Sequence, residues 1–261
     1  MAAYLEQRRT EAAGWSRRLA VFSAALFVTA GIAHRVGSLE TMAFLWTLVI
    51  VATLAVGALF LALYAFSRLW AFGDLGGGDL AIGGLIALAV LTPFLVSAYR
   101  AAIYPRLNDI STDFDIPPAL AAGSRAEAMN SIGNFTLQQR LLQMENYPLV
   151  AGRRYDLPFD RVVEAVNTVI ARQGWAWAGP RPAAVTQAEM TIEARAETFL
   201  LGFPVDIAVR LTDEGGATYV DMRSASRFGD HDLGDNARRI VAFLAELDVE
   251  IASLAGLASP E

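Results

Sequence analysis

The chain has 261 residues, 54% of them hydrophobic, with a mean hydropathy of +0.38, which is too apolar for an ordinary soluble domain. It contains no Cys, so disulfides and thiolate metal sites are excluded. All 21 basic residues are Arg, and residues 105–261 set 14 Arg against 22 acids; that net charge of −8 argues against non-specific nucleic-acid binding.

Residues 1–18 read as a polar tail carrying Arg8, Arg9, Arg17 and Arg18. The apolar run Leu19–Ala33 is short for a spanning helix, but Trp15 and the flanking Arg side chains extend it by anchoring at the interface. A cleaved signal peptide is the rival reading, because Gly31-Ile32-Ala33 loosely fits a small-residue cleavage site. Ser16-Arg17-Arg18 is a fragment of a twin-arginine signal that the following residues continue poorly. Met42–Phe66 runs 25 residues without a charge, and Leu80–Tyr99 follows, with Pro93 tolerated as it is in a bilayer. Helices at about 19–34, 42–66 and 80–100 therefore predict a three-helix membrane anchor over residues 1–104. None of these segments holds an ionisable residue in its core, so nothing marks an ion path. With the N-terminus inside, five Arg lie on the cytoplasmic side (8, 9, 17, 18, 68) against three outside (35, 100, 106). This predicts a multi-pass protein of the bacterial inner (cytoplasmic) membrane, its C-terminal domain on the periplasmic side.

Residues 105–152 read as a connector, extended at first by Pro105, Pro117 and Pro118. Asp109, Asp113 and Asp115 resemble a cation loop, but the run lacks the EF-hand Gly and terminal Glu, so a capped, solvated turn region is expected. Ser124 to Met144 has weak helical character, its apolar points being Met129, Ile132, Leu137, Leu141 and Met144.

A compact domain is expected over residues 153–261. A short strand at 153–156 leads to a helix at 158–173 with Phe159, Val162, Val163, Val166, Val169 and Ile170 on its apolar face, stopped by Gly174. Strands follow at Trp175–Trp177, Glu189–Thr198 and Val205–Leu211, the last two with clean period-2 alternation. Asp213-Glu214-Gly215-Gly216 reads as a hairpin turn. Residues 219–240, YVDMRSASRFGDHDLGDNARRI, then couple an alternating strand through a Gly-containing turn to a helix N-capped by Asp232. That helix repeats Leu233, Ala237, Ile240, Leu244, Leu247, Ile251 and Leu254 as one apolar stripe. The order β-α-β4-α predicts an α+β fold: an antiparallel sheet with two helices on one face.

RSASRFGDHDLGDNARRI, together with NDISTDFDIPP at 108–118 and IEARAETFLLGF at 192–203, resembles the domain of unknown function 1499 family over roughly the last 150 residues. FPVD at 203–206 departs from the family's pattern, being more apolar than expected. The resemblance implies a fold relationship and no activity.

On the strand face away from the helices, Glu193, Arg195, Glu197, Asp206, Arg210, Asp221, Arg223 and Arg227 are expected as a solvated ladder of cross-strand pairs. The functional alternative is a recognition surface in which Arg223 and Arg227 hold a carboxylate, phosphate or partner acid. Arg239 lies near a helix start, where it pairs with acids or binds a ligand. Ser224 and Ser226 face the helices and can bond Asn236. A hydrolase would use one of these serines with His231 and Asp230 or Asp232, but no nucleophile elbow is present. The only histidines, His34 and His231, are far apart in the chain, so no metal and no cofactor are expected. The Phe199–Pro204 run FLLGFP is apolar for a loop; it folds over the sheet end, or it touches the bilayer or lines a pocket, with Phe203 as the candidate contact.

Three functions follow. The first is a non-enzymatic membrane-anchored domain holding a lipid-like ligand or an envelope protein, so membrane lipids and one protein are its expected partners. The second is an accessory or scaffold subunit whose small-residue stripe at Gly83 and Gly84 packs on another subunit's helices. The third is an envelope hydrolase.

Overall fold

The computed structural model describes residues 9–120, 125–126, 128–178 and 188–257. Arg8 of the N-terminal tail and Ser124 of the connector lie outside them. The chain divides into two compact units, one up to Tyr99 and one from Arg100 onward.

The first unit is helical: α1 (Glu11–Arg35), α2 (Thr41–Phe72) and α3 (Gly77–Ile103), each long and apolar enough to cross a membrane. All three exceed their predicted bounds, and α1 takes in residues 11–18 of the expected polar tail. Small residues let the helices close: Ala20, Ala58 and Ala87 form one buried cluster, and Ser16 Oγ donates to the Ala58 carbonyl at 2.8 Å. Gly83 has a definite partner within the chain. A Cβ there would lie 2.7 Å from the Arg17 backbone nitrogen, so only Gly permits this approach of α3 to α1. Gly83 therefore serves the chain's own packing, which corrects its assignment to another subunit's helices.

The second unit carries β1 (Asp109–Ser111), α4 (Leu137–Asn146), β2 (Arg153–Tyr155), α5 (Phe159–Arg172), β3 (Ala176–Trp177), β4 (Glu189–Glu197), β5 (Pro204–Asp213), β6 (Thr218–Ser226) and α6 (Asp235–Leu257). The sheet is antiparallel in the order β1-β6-β5-β4-β3, with β2 also paired to β6. The expected α+β order holds, and the sheet gains β1, a strand the sequence hid inside the connector. Ile192, Ala194, Ile207, Val209, Leu211, Val220 and Met222 from the strands meet Val162, Val166, Ile170, Ile240, Leu244 and Leu247 from α5 and α6 in one core. Trp175 stacks on Phe243 at 5.3 Å. This packing follows from the period-2 and 3.6-residue patterns, which put the apolar faces of β4, β5, β6, α5 and α6 against one another.

The opposite sheet face is also covered. Leu120 and Ile132 of the connector pack on Ala208 and Ala225, and Phe114 meets Phe135 edge-on at 6.0 Å. The connector is thus a third layer over the sheet and not a solvated linker.

Candidate functional site

The ladder expected in solvent is buried beneath that layer, and this is the main correction to the sequence reading. Strand alternation aims Asp206, Arg210, Asp221, Arg223 and Arg227 away from the helices, as expected, but the connector supplies further Asp and Arg to meet them. Arg227 donates through Nε to both Asp206 oxygens at 2.9 and 3.0 Å and through Nη2 to Oδ1 at 2.6 Å. Arg125 of the connector donates Nε to the same carboxylate at 3.0 Å, and all three side chains are at most 9% exposed. Arg223 grips Asp109 bidentately at 3.0 and 2.7 Å, donates to the Gly133 carbonyl at 2.9 Å and lies over the Phe135 ring. Arg210 bridges Asp113 and Asp221, both at 2.7 Å, and donates to the Ile116 carbonyl at 2.6 Å. Four arginines face four aspartates, so the buried layer is neutral.

The acidic run 108–118 is thereby explained without a cation. Asp109 belongs to Arg223, Asp113 to Arg210, and Asp115 to Arg140 at 2.7 Å. Burial pushes the Asp113 carboxyl up, but the Arg210 hydrogen bond and the Ile116 and Asp115 backbone N–H groups outweigh it and hold the group below its ordinary range. Glu193, Arg195 and Glu197 on β4 lie outside the covered area; Arg195 and Glu197 are exposed.

Four of the expected binding residues form one cluster on the other face, at the seam between β6 and α6. Ser224 Oγ donates to Asn236 Oδ1 at 2.8 Å, and Asn236 Nδ2 donates to Ser226 Oγ at 3.1 Å and to the Asn108 carbonyl at 2.9 Å. Arg239 Nη1 donates to Asn236 Oδ1 at 2.9 Å and to Ser224 Oγ at 3.3 Å. Burial pushes the Arg239 pKa down, against Asp235 and Asp232, which push it up. Asp232 Oδ1 and Oδ2 accept from the backbone N–H groups of Gly234 and Asn236, as a helix-capping carboxylate should. His231 Nδ1 accepts from Leu233 N–H at 3.0 Å, while the serines spend their hydroxyls on Asn236. That geometry assembles no nucleophile and base.

Among the described residues of the second unit, exposed apolar side chains cluster on α4 and on the β4–β5 turn. On α4, Leu137, Leu141 and Met144 recur at i, i+4 and i+7 and are 73%, 57% and 60% exposed. The polar Gln143 of the same helix is turned inward. Its Nε2 donates to the Ser111 carbonyl at 2.8 Å and its Oε1 accepts from Ser111 N–H at 3.3 Å, so an amide side chain stands in for the next strand beyond β1. A capping box of Thr136 and Gln139 fixes the helix start. The second surface is the β4–β5 turn, where Phe199 and Leu200 are 90% and 58% exposed. This corrects the expectation that the run folds over the sheet end. Phe203 is half-buried at the turn's base, its N–H donating to Thr198 Oγ1 and its carbonyl accepting from Thr198 N–H, both at 2.9 Å.

Residues 108–247, more than half of the chain, match the family model described as "Protein of unknown function (DUF1499)". The match takes in all three motif stretches read from the sequence. Among solved structures, TTHA0849 from Thermus thermophilus aligns over 40% of this chain and 96% of its own, at 12% identity and a TM-score of 0.21. No curated protein matches the chain.

Proposed function

We propose that this chain, which belongs to the DUF1499 family, is a non-enzymatic binding module fixed to the bacterial cytoplasmic membrane. In this reading α1, α2 and α3 cross the bilayer, and the second unit faces the periplasm and engages an envelope protein through α4. The five-to-three Arg bias supports the orientation. The observation that carries the binding role is the outer face of α4: Leu142 packs on the core and the buried amide of Gln143 fixes the helix, so that Leu137, Leu141 and Met144 are left exposed. Anchors at i, i+4 and i+7 are the pattern by which a helix face fills a groove on another protein. A lipid-binding interfacial helix would rim such a face with Lys and Arg; α4 carries Gln138, Gln139, Glu145 and the single Arg140, already paired with Asp115. A lipid-like ligand inside the domain has less support, because the space between sheet and helices is filled by the core side chains.

The test is a photo-crosslinking residue at position 141 of the full chain in its own membranes, with the exposed position 156 as control. A discrete protein adduct at 141, absent at 156 and abolished by Leu137→Asp, is expected. Lipid adducts or none at 141 would overturn the protein-docking reading.

A further inference from the structure

The geometry points to the β4–β5 turn as a tip that dips into the bilayer in which the chain is anchored. Three observations inside the second unit converge on it. Phe199 and Leu200 stand in water at the end of a turn that is held in shape. Thr198 N–H donates to the Phe203 carbonyl at 2.9 Å, Gly202 N–H donates to the Thr198 carbonyl at 3.0 Å, and Gly202 occupies the left-handed region at φ +68°. The apolar tip is therefore presented by a built turn and is not a slack loop.

Sheet register then places this tip at the end where the chain enters the domain. Asp109, Ala225, Asp206 and Arg195 form one row across β1, β6, β5 and β4. The chain before Asp109 continues toward the Ser226 end, where Ser226 N–H donates to the Asn108 carbonyl at 2.8 Å. The β4–β5 turn leaves the sheet at the same end, just past the Glu197–Pro204 pair, two residues or about 7 Å beyond that row. Three strand spacings of about 4.8 Å separate β1 from β4, so tip and entry point lie within about 15 Å laterally.

The tether is short. Only residues 104–108 separate the end of α3 from β1, so even a fully extended link spans about 20 Å. The sheet end bearing Phe199 and Leu200 is thus the end from which the chain runs back to α3, and the remaining match is chemical: an aromatic and an aliphatic side chain suit the headgroup–acyl boundary. The inference requires neither membrane sidedness nor the α4 reading, and its failure would leave both intact.

Because the chain has no Cys, single cysteines at 199, 200 and 156 can each carry an environment-sensitive fluorophore in the otherwise unaltered full-length protein. The proteins are reconstituted in phosphatidylcholine vesicles, with and without lipids bearing a nitroxide quencher near the headgroup. Position 156, after β2 at the opposite sheet end, reports the water baseline. Labels at 199 and 200 should emit to the blue of the label at 156 and be quenched several-fold more strongly by the nitroxide lipid. Phe199→Asp should abolish quenching of the label at 200 while leaving hydrogen exchange in β5 and β6 unchanged. A water-like, unquenched label at 199 and 200 would overturn the inference. So would a blue-shifted label that the lipid quencher does not reach, because the tip would then be covered by protein.

Discussion

Asp206→Ala separates a buried ion-pair layer from a solvated ladder by magnitude. The carboxylate receives five contacts of 2.6–3.0 Å from Arg227 and Arg125, and the three side chains are at most 9% exposed. Solvent screening is therefore slight, and removing the anion leaves two guanidinium groups uncompensated beneath the connector. Breaking a buried pair from one side costs about 3–5 kcal/mol, whereas an exposed cross-strand pair is worth about 0.2–1. Hydrogen exchange of the β5 and β6 amides in the full-length protein reads this directly where exchange requires opening of the sheet. The predicted loss corresponds to exchange faster by about two to three and a half orders of magnitude. Arg195→Ala, on the uncovered part of the same face, should stay within about 0.5 kcal/mol. The companion variant Asp206→Leu, Arg125→Met, Arg227→Met should recover most of the loss, since a whole buried ionic group can be replaced by apolar side chains at little cost. An Asp206→Ala cost below about 1 kcal/mol would refute the burial argument, and the layer would behave as solvated surface.

Asp113 gives a pH signature. Its folded pKa is depressed, so its stabilising contribution is complete above the unfolded value of 3.8 and is lost as pH falls through the folded value. The stability gap between the native chain and Asp113→Asn, measured by thermal unfolding, should therefore be constant near neutrality and shrink only as the pH is taken below 3.8. Gln143→Leu strips the Ser111 edge of both its bonds and should cost about 1–3 kcal/mol, seen as faster exchange of the Ser111 amide. Thr136→Ala removes the side-chain cap of α4 at about 1 kcal/mol, seen as faster exchange in the first turn of that helix alone. Gly83→Val drives a side chain into the α1 backbone and should cost the first unit about 1–3 kcal/mol in detergent melting, with β5 and β6 exchange unaffected.

Most of the sheet and its helices were legible because their signals are local. The alternation of Val205, Ile207, Val209 and Leu211 names the buried face with no knowledge of what covers it, and the stripe from Ala237 to Ile251 does the same for α6. The hairpin at 213–216 and the Asp232 cap are equally local, carried by Gly at positive φ and by a carboxylate two and four residues from the N–H groups it receives. The connector was not legible, because its structure is set by partners about 80 to 115 residues away. Asp109 meets Arg223, Asp113 meets Arg210, and Arg125 meets Asp206; read alone, the segment is an acidic, proline-containing turn region. One signal was available: the outward residues of β5 and β6, with Arg227 just past β6, held three Arg against two Asp, too cationic to be buried alone, while the connector carried the missing acids.

That same coupling engages two of the sequence's binding candidates, Arg223 and Arg227, within the fold. An Arg on an alternating strand has the same pattern whether it awaits a ligand or holds a distant loop, and Arg210, Arg223 and Arg227 hold the loop. What the layer achieves is positional. By tying Asp109, Arg125 and Gly133 across the sheet it fixes the approach to α4, and Gln143 on the β1 edge turns Leu137, Leu141 and Met144 outward while Leu142 packs on the core. The charged network thus supports the proposed α4 docking face and does not belong to it. Loosening it should weaken α4-dependent crosslinking at position 141 even though none of its residues touches a partner: Arg223→Met, which frees Asp109, should lower that adduct yield without moving the lipid quenching of the turn at 199. If the adduct survives Arg223→Met while β1 exchange rises, α4 is held by Gln143 and its cap alone, and the layer serves stability only.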